Sequence, residues 1–172
     1  MRKSTRSILF LALAVAALGA AVYAELERET HLAMQPLTTL DPAAVKHIEI
    51  RCAAVCRSRR FERTDAGWQM LEPFAKPAND DAIRRLLGVA RAPIRVRLQL
   101  RDYDLAKLGL APAQIVLKLD DVIIEVGDED PIEHDRYIHV GNALLRVPDR
   151  FSARLLEAPE SELADVAAPA GR

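Results

Sequence analysis

One stretch of the chain brings carboxylates, a histidine and a tyrosine close enough together to suggest chemistry. It is EVGDEDPIEHDRYIHV, residues 125–140. Asp128, Asp130 and Glu133 carry the oxygen atoms that a calcium ion prefers as ligands. Pro131 interrupts the loop, however, and no glycine stands where an EF-hand needs its sharp turn. The pattern therefore favours a solvated acidic loop without a metal or other cofactor.

His134 and His139 flank Tyr137 in the same stretch. A catalytic histidine needs a positioned partner and a pocket, and no serine or cysteine near this loop has the setting of a nucleophile. These side chains are typical of a surface beside a sheet edge. We expect no catalytic residue and therefore a protein that is not an enzyme.

Cys52 and Cys56 are the only cysteines and are spaced C-x3-C. In an oxidising compartment two neighbouring thiols form a disulfide more often than a metal site, and zinc would need two further ligands. We expect a disulfide, with two free thiols as the alternative. Strand parity puts Phe61 beside Ile48, which places Cys56 in the loop and outside the ladder.

Arginines form the other conspicuous group. They are Arg57, Arg59, Arg60 and Arg63 on a predicted hairpin and Arg95, Arg97 and Arg101 on a later strand. Together they would make a basic interaction face for anionic lipid headgroups or an acidic partner. The alternative is a set of ordinary solvated strand faces. The net charge of -1 gives no general attraction to nucleic acid, and we expect no such partner.

The segments around these residues alternate as strands do. Residues 45–52 place Ile48 and Ile50 on one face, and CRSRRFER and WQML follow as two more strands. Asn79 has the side chain of a helix cap and begins a helix that the apolar spacing carries to residue 91. PIRVRLQLR, residues 93–101, predicts a strand with a cationic outer face.

The second half predicts a turn, four strands and a final helix. Asp104 can cap the turn and Gly109 can close it. QIVLKL and VIIEV form a hairpin about residues 120–121, RYIHV and ALLRV form another about residues 141–142, and Asp149 begins the helix. The fold class is α+β, with antiparallel β-meanders and two or three short helices after one N-terminal transmembrane helix.

The N-terminus has a basic start, an apolar run and an acidic flank. Arg2, Lys3 and Arg6 precede an uncharged run over residues 7–24. This order of charges places the start in the cytoplasm, and the run is long enough for a bilayer. It predicts a single-pass anchor in a bacterial inner membrane with the C-terminal domain in the periplasm. The alternative is a signal peptide cleaved after Ala24 and a secreted periplasmic domain.

These observations divide the chain into five parts. They are a cytoplasmic basic start at 1–6, the anchor or signal peptide at 7–24, a polar stalk at 25–42, a periplasmic α+β domain at 43–158 and a disordered tail at 159–172. Half of the residues are hydrophobic, which is typical of a folded protein.

Several segments together resemble a known family. PLTTLDPAAVKHIEIR, GWQMLEP, PAND, DYDLAKLGLAPAQIVLKL and RYIHVGNALLRVPD occur in that order. They resemble a bacterial domain-of-unknown-function family of membrane-anchored exported proteins, also found in auxiliary proteins of gliding-motility-type ABC transport systems. The most specific matches are Leu105, Leu108, Gly109, Leu110 and Pro112, then Trp68 before Glu72 and Pro73, then Tyr137. The resemblance covers roughly residues 37–157.

The resemblance implies an exported, membrane-anchored domain associated with an envelope or transport complex, and it carries no catalytic residue. We therefore expect a membrane-tethered periplasmic interaction or scaffold module whose partners are the inner membrane, through residues 7–24, and an envelope protein. The alternative is a lipid- or small-ligand-binding domain. Its groove would lie between the helix at 79–91 and the sheet.

Overall fold

A computed structural model describes residues 2–33, 35–53 and 56–164. The helices are α1 (Arg2–Ala33), α2 (Asp80–Leu87) and α3 (Ser152–Leu155). The strands are β1 (His47–Cys52), β2 (Arg59–Thr64), β3 (Gly67–Glu72), β4 (Lys76–Pro77), β5 (Val96–Leu98), β6 (Ile115–Leu119), β7 (Val122–Glu129), β8 (Asp135–Val140) and β9 (Ala143–Pro148). Short 3₁₀ turns occupy Gly88–Arg91, Leu100–Asp102, Leu105–Leu108 and Pro159–Glu162.

Helix α1 is apolar and exposed. Its 18 residues Phe10–Glu27 are long and apolar enough to cross a membrane, and their side chains are not buried against the domain. A helix of the soluble core would bury an apolar stripe. The helix therefore suits membrane anchoring or a signal sequence.

The segment expected to be a stalk, residues 25–42, is not a free spacer. Its first part continues α1, and its second part is docked on the domain. The Gln35 carbonyl accepts from the Ile94 amide at 3.2 Å, and Leu37 is buried. The sequence did not predict this docking, because one buried apolar residue in a polar segment produces no hydrophobic periodicity. The folded domain begins near Gln35 and not at residue 43.

All nine strands belong to one antiparallel sheet, which confirms the α+β class. Their order is β4-β3-β2-β1-β6-β7-β8-β9-β5. The sheet thus joins two meanders through the pair β1 and β6, while β5 crosses from the middle of the chain to the far edge. This crossover places β5 beside β9, the last strand in the sequence.

The register of β1 confirms the parity argument. Ile48 lies opposite Phe61 in β2 and Leu119 in β6, and all three side chains are fully buried. Cys56 lies in the connection between β1 and β2, outside both strands. Because alternate residues face the same side, this register fixes which face of the sheet forms the core.

Helix α2 begins as predicted and covers the core. The Asn79 side chain accepts from the amides of Asp81 at 2.9 Å and Ala82 at 3.1 Å. Such bonds satisfy donors that a helix start leaves unpaired. Ile83 and Leu86 are buried on the face that meets the sheet.

The strand predicted over residues 93–101 is much shorter. The strand itself is Val96–Leu98, and Leu100 begins a 3₁₀ turn. β5 is an edge strand with β9 as its neighbour, so its alternating pattern has little to pair with. Pro93 also lacks an amide hydrogen for the ladder.

The tail predicted as disordered from residue 159 is wrong for its first part. Pro159–Glu162 forms a 3₁₀ turn, and the Ala164 amide donates to the Pro77 carbonyl at 3.0 Å. Leu163 forms an antiparallel bridge with Ala78, beside the edge strand β4. Residues 165–172 lie outside the described part of the chain.

Candidate functional site

Most of the stretch at 125–140 is strand. β7 continues through Glu129 and β8 begins at Asp135, so the connection between them is the turn at residues 130–134. Hydrogen bonds from Glu133 and Tyr137 to the Asp130 carboxylate hold the turn in place. It is therefore a shaped feature of the surface and not an open acidic loop.

Asp130 ties this turn together. Its carboxylate accepts from the Tyr137 hydroxyl at 2.9 Å and from the Glu133 amide at 3.0 Å, and it lies 3.3 Å from Nη1 of Arg146. The Glu133 amide makes the largest contribution to holding the pKa of Asp130 below its ordinary value, with Tyr137 and Arg146 adding to it. The carboxylate is thus an ionised anchor for the turn.

Asp135 is a second engaged carboxylate, directly after the turn. It is buried and lies 3.1 Å from Nε of Arg95 and 3.3 Å from Nε of Arg146. Burial raises the pKa of Asp135 more than the two guanidinium groups lower it. The carboxylates of this region are therefore structural, and the expectation of a solvated loop is wrong for Asp130 and Asp135.

The two histidines each meet a glutamate of β7. Nδ1 of His134 lies 2.6 Å from Glu129, and Nδ1 of His139 lies 2.6 Å from Glu125. In the part of the chain that the structure describes, no group of three or more His, Cys, Asp or Glu side chains could hold a metal ion. The most exposed large apolar side chain of the turn is Ile132, which is 81% exposed.

The predicted basic face is not one surface. It comprises Arg57, Arg59, Arg60, Arg63, Arg95, Arg97 and Arg101. The first four lie on or just before β2 and the others on or beside β5, and five strands separate β2 from β5 in the sheet. Arg95 is committed to Asp135. Sequence alone could not show this separation, because it depends on β5 pairing at the far edge.

Arg59, predicted to lie on the basic face, is instead buried. Nη1 donates to the Glu157 carbonyl at 3.0 Å, and Nη2 donates to the Leu155 carbonyl at 3.0 Å. Nε lies 2.7 Å from the carboxylate of Glu162, which is also buried. Burial raises the pKa of Glu162 to about 7, outweighing the lowering by Arg59. Arg59 therefore fastens the C-terminal segment to the sheet.

Cys52 and Cys56 are joined by a disulfide, with their Cα atoms 5.6 Å apart. The bond links the end of β1 to the connection that follows it. It closes a short loop, and it therefore staples a turn and not two paired strands.

A groove of about 590 Å³ opens between α2 and the β2–β3 hairpin. This is the region in which the sequence predicted a groove. Trp68 and Leu87 supply apolar surface, and three arginines, Arg63, Arg84 and Arg91, line it. Asp41 and Asp80 also line the groove, so its charge is mixed with an excess of cations.

Two of the groove arginines, Arg84 and Arg91, form only exposed ion pairs. Arg91 lies 3.4 Å from Asp41, with both side chains exposed, and Arg63 donates to the Ala43 carbonyl at 2.6 Å. Arg84 pairs with Asp81 on the exposed surface of the helix at 2.7 Å. Exposed ion pairs of this kind stabilise a protein little, so the guanidinium groups are free to exchange partners.

The sequence did not predict that these arginines and Trp68 line the same groove. Trp68 lies in β3, as the strand pattern of WQML predicted, whereas Arg84 lies on α2 and Arg91 at the end of the 3₁₀ turn that follows it. The usable signal was the spacing of the two arginines, which are two helical turns apart and therefore on one side. That Arg63 faces the same groove depends on tertiary packing.

Comparison of the chain with protein-family models, with curated proteins and with solved structures found no match.

Proposed function

We propose that this protein is a membrane-tethered interaction module of a bacterial cell envelope, with α1 retained as the anchor and the folded domain in the periplasm. Arg2, Lys3 and Arg6 before the apolar run support this orientation. Asp130 and Asp135 form ion pairs with arginines, which supports a role in binding and not in catalysis.

The observation that carries the proposal is the direct junction between helix and domain. α1 ends at Ala33, and Gln35 already bonds to Ile94. From Glu27, where the apolar segment ends, a helix to Ala33 rises only about 9 Å, at about 1.5 Å per residue. With α1 retained in the bilayer, this short connection would keep the domain beside the headgroup region, within reach of a membrane-attached partner.

Such tethering raises the effective concentration of the domain for any other membrane-attached protein. Linked binding events reach millimolar effective concentrations without a new contact, so a modest surface suffices. The turn at residues 130–134 is one such surface, because Asp130 fixes it and Ile132 projects from it. An envelope complex, with an ABC transport complex as one candidate, would fit this arrangement.

In-cell photo-crosslinking of the full chain tests the proposal. A photoreactive amino acid replaces Ile132, and a matched control places it at Asp121, an exposed residue of another turn. We expect one discrete adduct with an envelope protein from position 132 and none from position 121. The adduct should disappear when α1 is replaced by a cleavable signal peptide that releases the domain.

Two results would contradict the proposal. One is equal or absent adduct formation from both positions. The other is recovery of the chain in the soluble fraction after alkaline carbonate washing of membranes, because a retained anchor resists that treatment.

A further inference from the structure

The groove beside α2 has the chemistry of an amphiphile site. Its arginines carry donors arranged in a fork that matches phosphate oxygens, and guanidinium–phosphate pairs are commonly bidentate. Trp68 and Leu87 also line the groove, and because these residues are only 8% and 6% exposed, they form its apolar bottom. A ligand with a phosphate group and an adjoining apolar part would satisfy both halves of the lining.

Arg63, Arg84 and Arg91 line the groove together with two carboxylates, Asp41 and Asp80, and a third carboxylate, Asp81, pairs with Arg84 at 2.7 Å outside the lining. Arg91 is 3.4 Å from Asp41, and both side chains are 63% exposed. Because an exposed ion pair contributes little stability, an incoming phosphate can displace it. The groove thus admits an anion through exposed ion pairs that can open, and not through a large excess of positive charge.

The groove also lies beside the point where the chain leaves the membrane helix. Arg91 lines a second pocket of about 390 Å³, which Gln35 and Pro36 line as well. These are the first described residues after α1. Arg91 thus lines both pockets and places the groove next to the segment that follows α1.

We propose that the groove between α2 and the β2–β3 hairpin binds the phosphate headgroup of an anionic membrane lipid, with Arg63, Arg84 and Arg91 on the phosphate and Trp68 against the adjoining apolar part. The proposal rests on the proposed function in one respect, namely that α1 holds the domain at a bilayer. The binding chemistry is shared with soluble phosphate compounds, and the experiment separates the two sources.

Trp68 is the only tryptophan in the chain, so intrinsic fluorescence reports directly on the groove. The full chain in neutral detergent micelles is titrated with phosphatidylglycerol, with phosphatidylcholine, and with the soluble compounds glycerol phosphate and inorganic phosphate. We expect a saturable change in Trp68 emission with phosphatidylglycerol alone. Binding in micelles does not require α1 to be a retained anchor, so failure here is distinct from failure of the tether.

The decisive variant is Arg84→Gln/Arg91→Gln, because both side chains are exposed and their loss should leave the fold intact. We expect it to need roughly tenfold more phosphatidylglycerol for a half-maximal change. The matched control is Arg97→Gln/Arg101→Gln, which removes the same charge from exposed positions near β5. It should titrate like the wild type.

Several outcomes would overturn the proposal. They are an equal response to phosphatidylcholine, an equal response to either soluble phosphate compound, and an equal loss in the control variant. The thermal transition of each variant, followed by the same fluorescence, verifies folding. If the double variant does not fold, Arg84→Gln alone is titrated, and an unchanged affinity in that chain also counts against the site.

Discussion

Arg59 and Glu162 are buried together, with Nε of the arginine 2.7 Å from the glutamate carboxylate. The arginine comes from the start of β2 and the glutamate from the last described turn of the chain. Their contact joins the first meander to the C-terminal segment. It also makes the stability of the domain depend on an arginine that the sequence suggested was exposed.

Arg59→Met should destabilise the domain by about 3 kcal/mol, because the carbonyls of Leu155 and Glu157 lose their donor in a buried setting. Thermal unfolding of the full chain in detergent, followed by Trp68 fluorescence, measures the change. Arg60→Met is the matched control. Arg60 lies next in the strand and pairs with Glu72 on the exposed surface, so its loss should change the free energy by less than about 0.5 kcal/mol. Equal effects would contradict the structural role of Arg59.

Stability should fall as the pH rises from 4.5 to 7, because of Glu162. Its pKa in the folded protein is about 7, against an ordinary value of 4.5. Between these values the folded state holds a proton that the unfolded chain releases, so the contribution is present below pH 4.5 and lost by pH 7. The loss amounts to at most about 3 kcal/mol.

The comparison that isolates this group is Glu162→Gln, which cannot titrate. The wild type should lose melting temperature relative to the variant between pH 5 and pH 8. A constant difference over that range would show that Glu162 does not titrate there.

Gly127→Ala should be strongly destabilising. A Cβ at this position would collide with the Leu108 carbonyl oxygen and the Leu110 side chain, both close to the backbone of β7. Overpacking of this kind costs about 1–3 kcal/mol. Gly88→Ala is the control, since a Cβ there meets nothing within 4 Å. A chemical denaturation midpoint that shifts equally in both variants would refute the close approach.

Tyr137→Phe should loosen the turn at residues 130–134. Without the hydroxyl, Asp130 loses one of the bonds that fix it, and the Glu133 amide should exchange with solvent roughly tenfold faster. Hydrogen exchange read by mass spectrometry measures this rate in the peptide that contains the turn. Tyr103→Phe, at an exposed tyrosine, should leave the rate unchanged. No difference between the two variants would mean that Tyr137 does not hold the turn.

Replacing both cysteines, Cys52→Ser/Cys56→Ser, should lower the free energy of unfolding by about 2 kcal/mol, the loop entropy of so short a ring. A reductant should have the same effect on the wild type and none on the variant. An unchanged stability of the wild type in reductant would contradict the predicted contribution of the bond.

Local patterns predicted much of the fold. The Asn79 cap, the left-handed Gly109 and the parity of Ile48 with Phe61 depend on neighbouring residues, and each is found. These features need no knowledge of the distant chain. Strand alternation likewise located the two hairpins of the second meander, although β7 and β8 extend further than expected.

What the sequence could not predict depends on partners far along the chain. Leu37 is buried and its amide donates to the Ala92 carbonyl, and the buried Arg59 pairs with Glu162. Charged side chains that find distant partners look, in sequence, like solvated ones. For the same reason Asp130 and Asp135 look solvated in the sequence, although Arg146 lies beside both and Arg95 beside Asp135.

The position of β5 has a consequence for the order of folding. This strand leaves the ribosome before β6 to β9 but pairs with β9, so it has no neighbour until the chain has emerged to Pro148. Contacts of such long sequence separation form slowly and leave strand edges open meanwhile. Completion of the sheet is thus deferred until nearly the whole domain has been synthesised, and the edge at Val96–Leu98 stays unpaired during that interval.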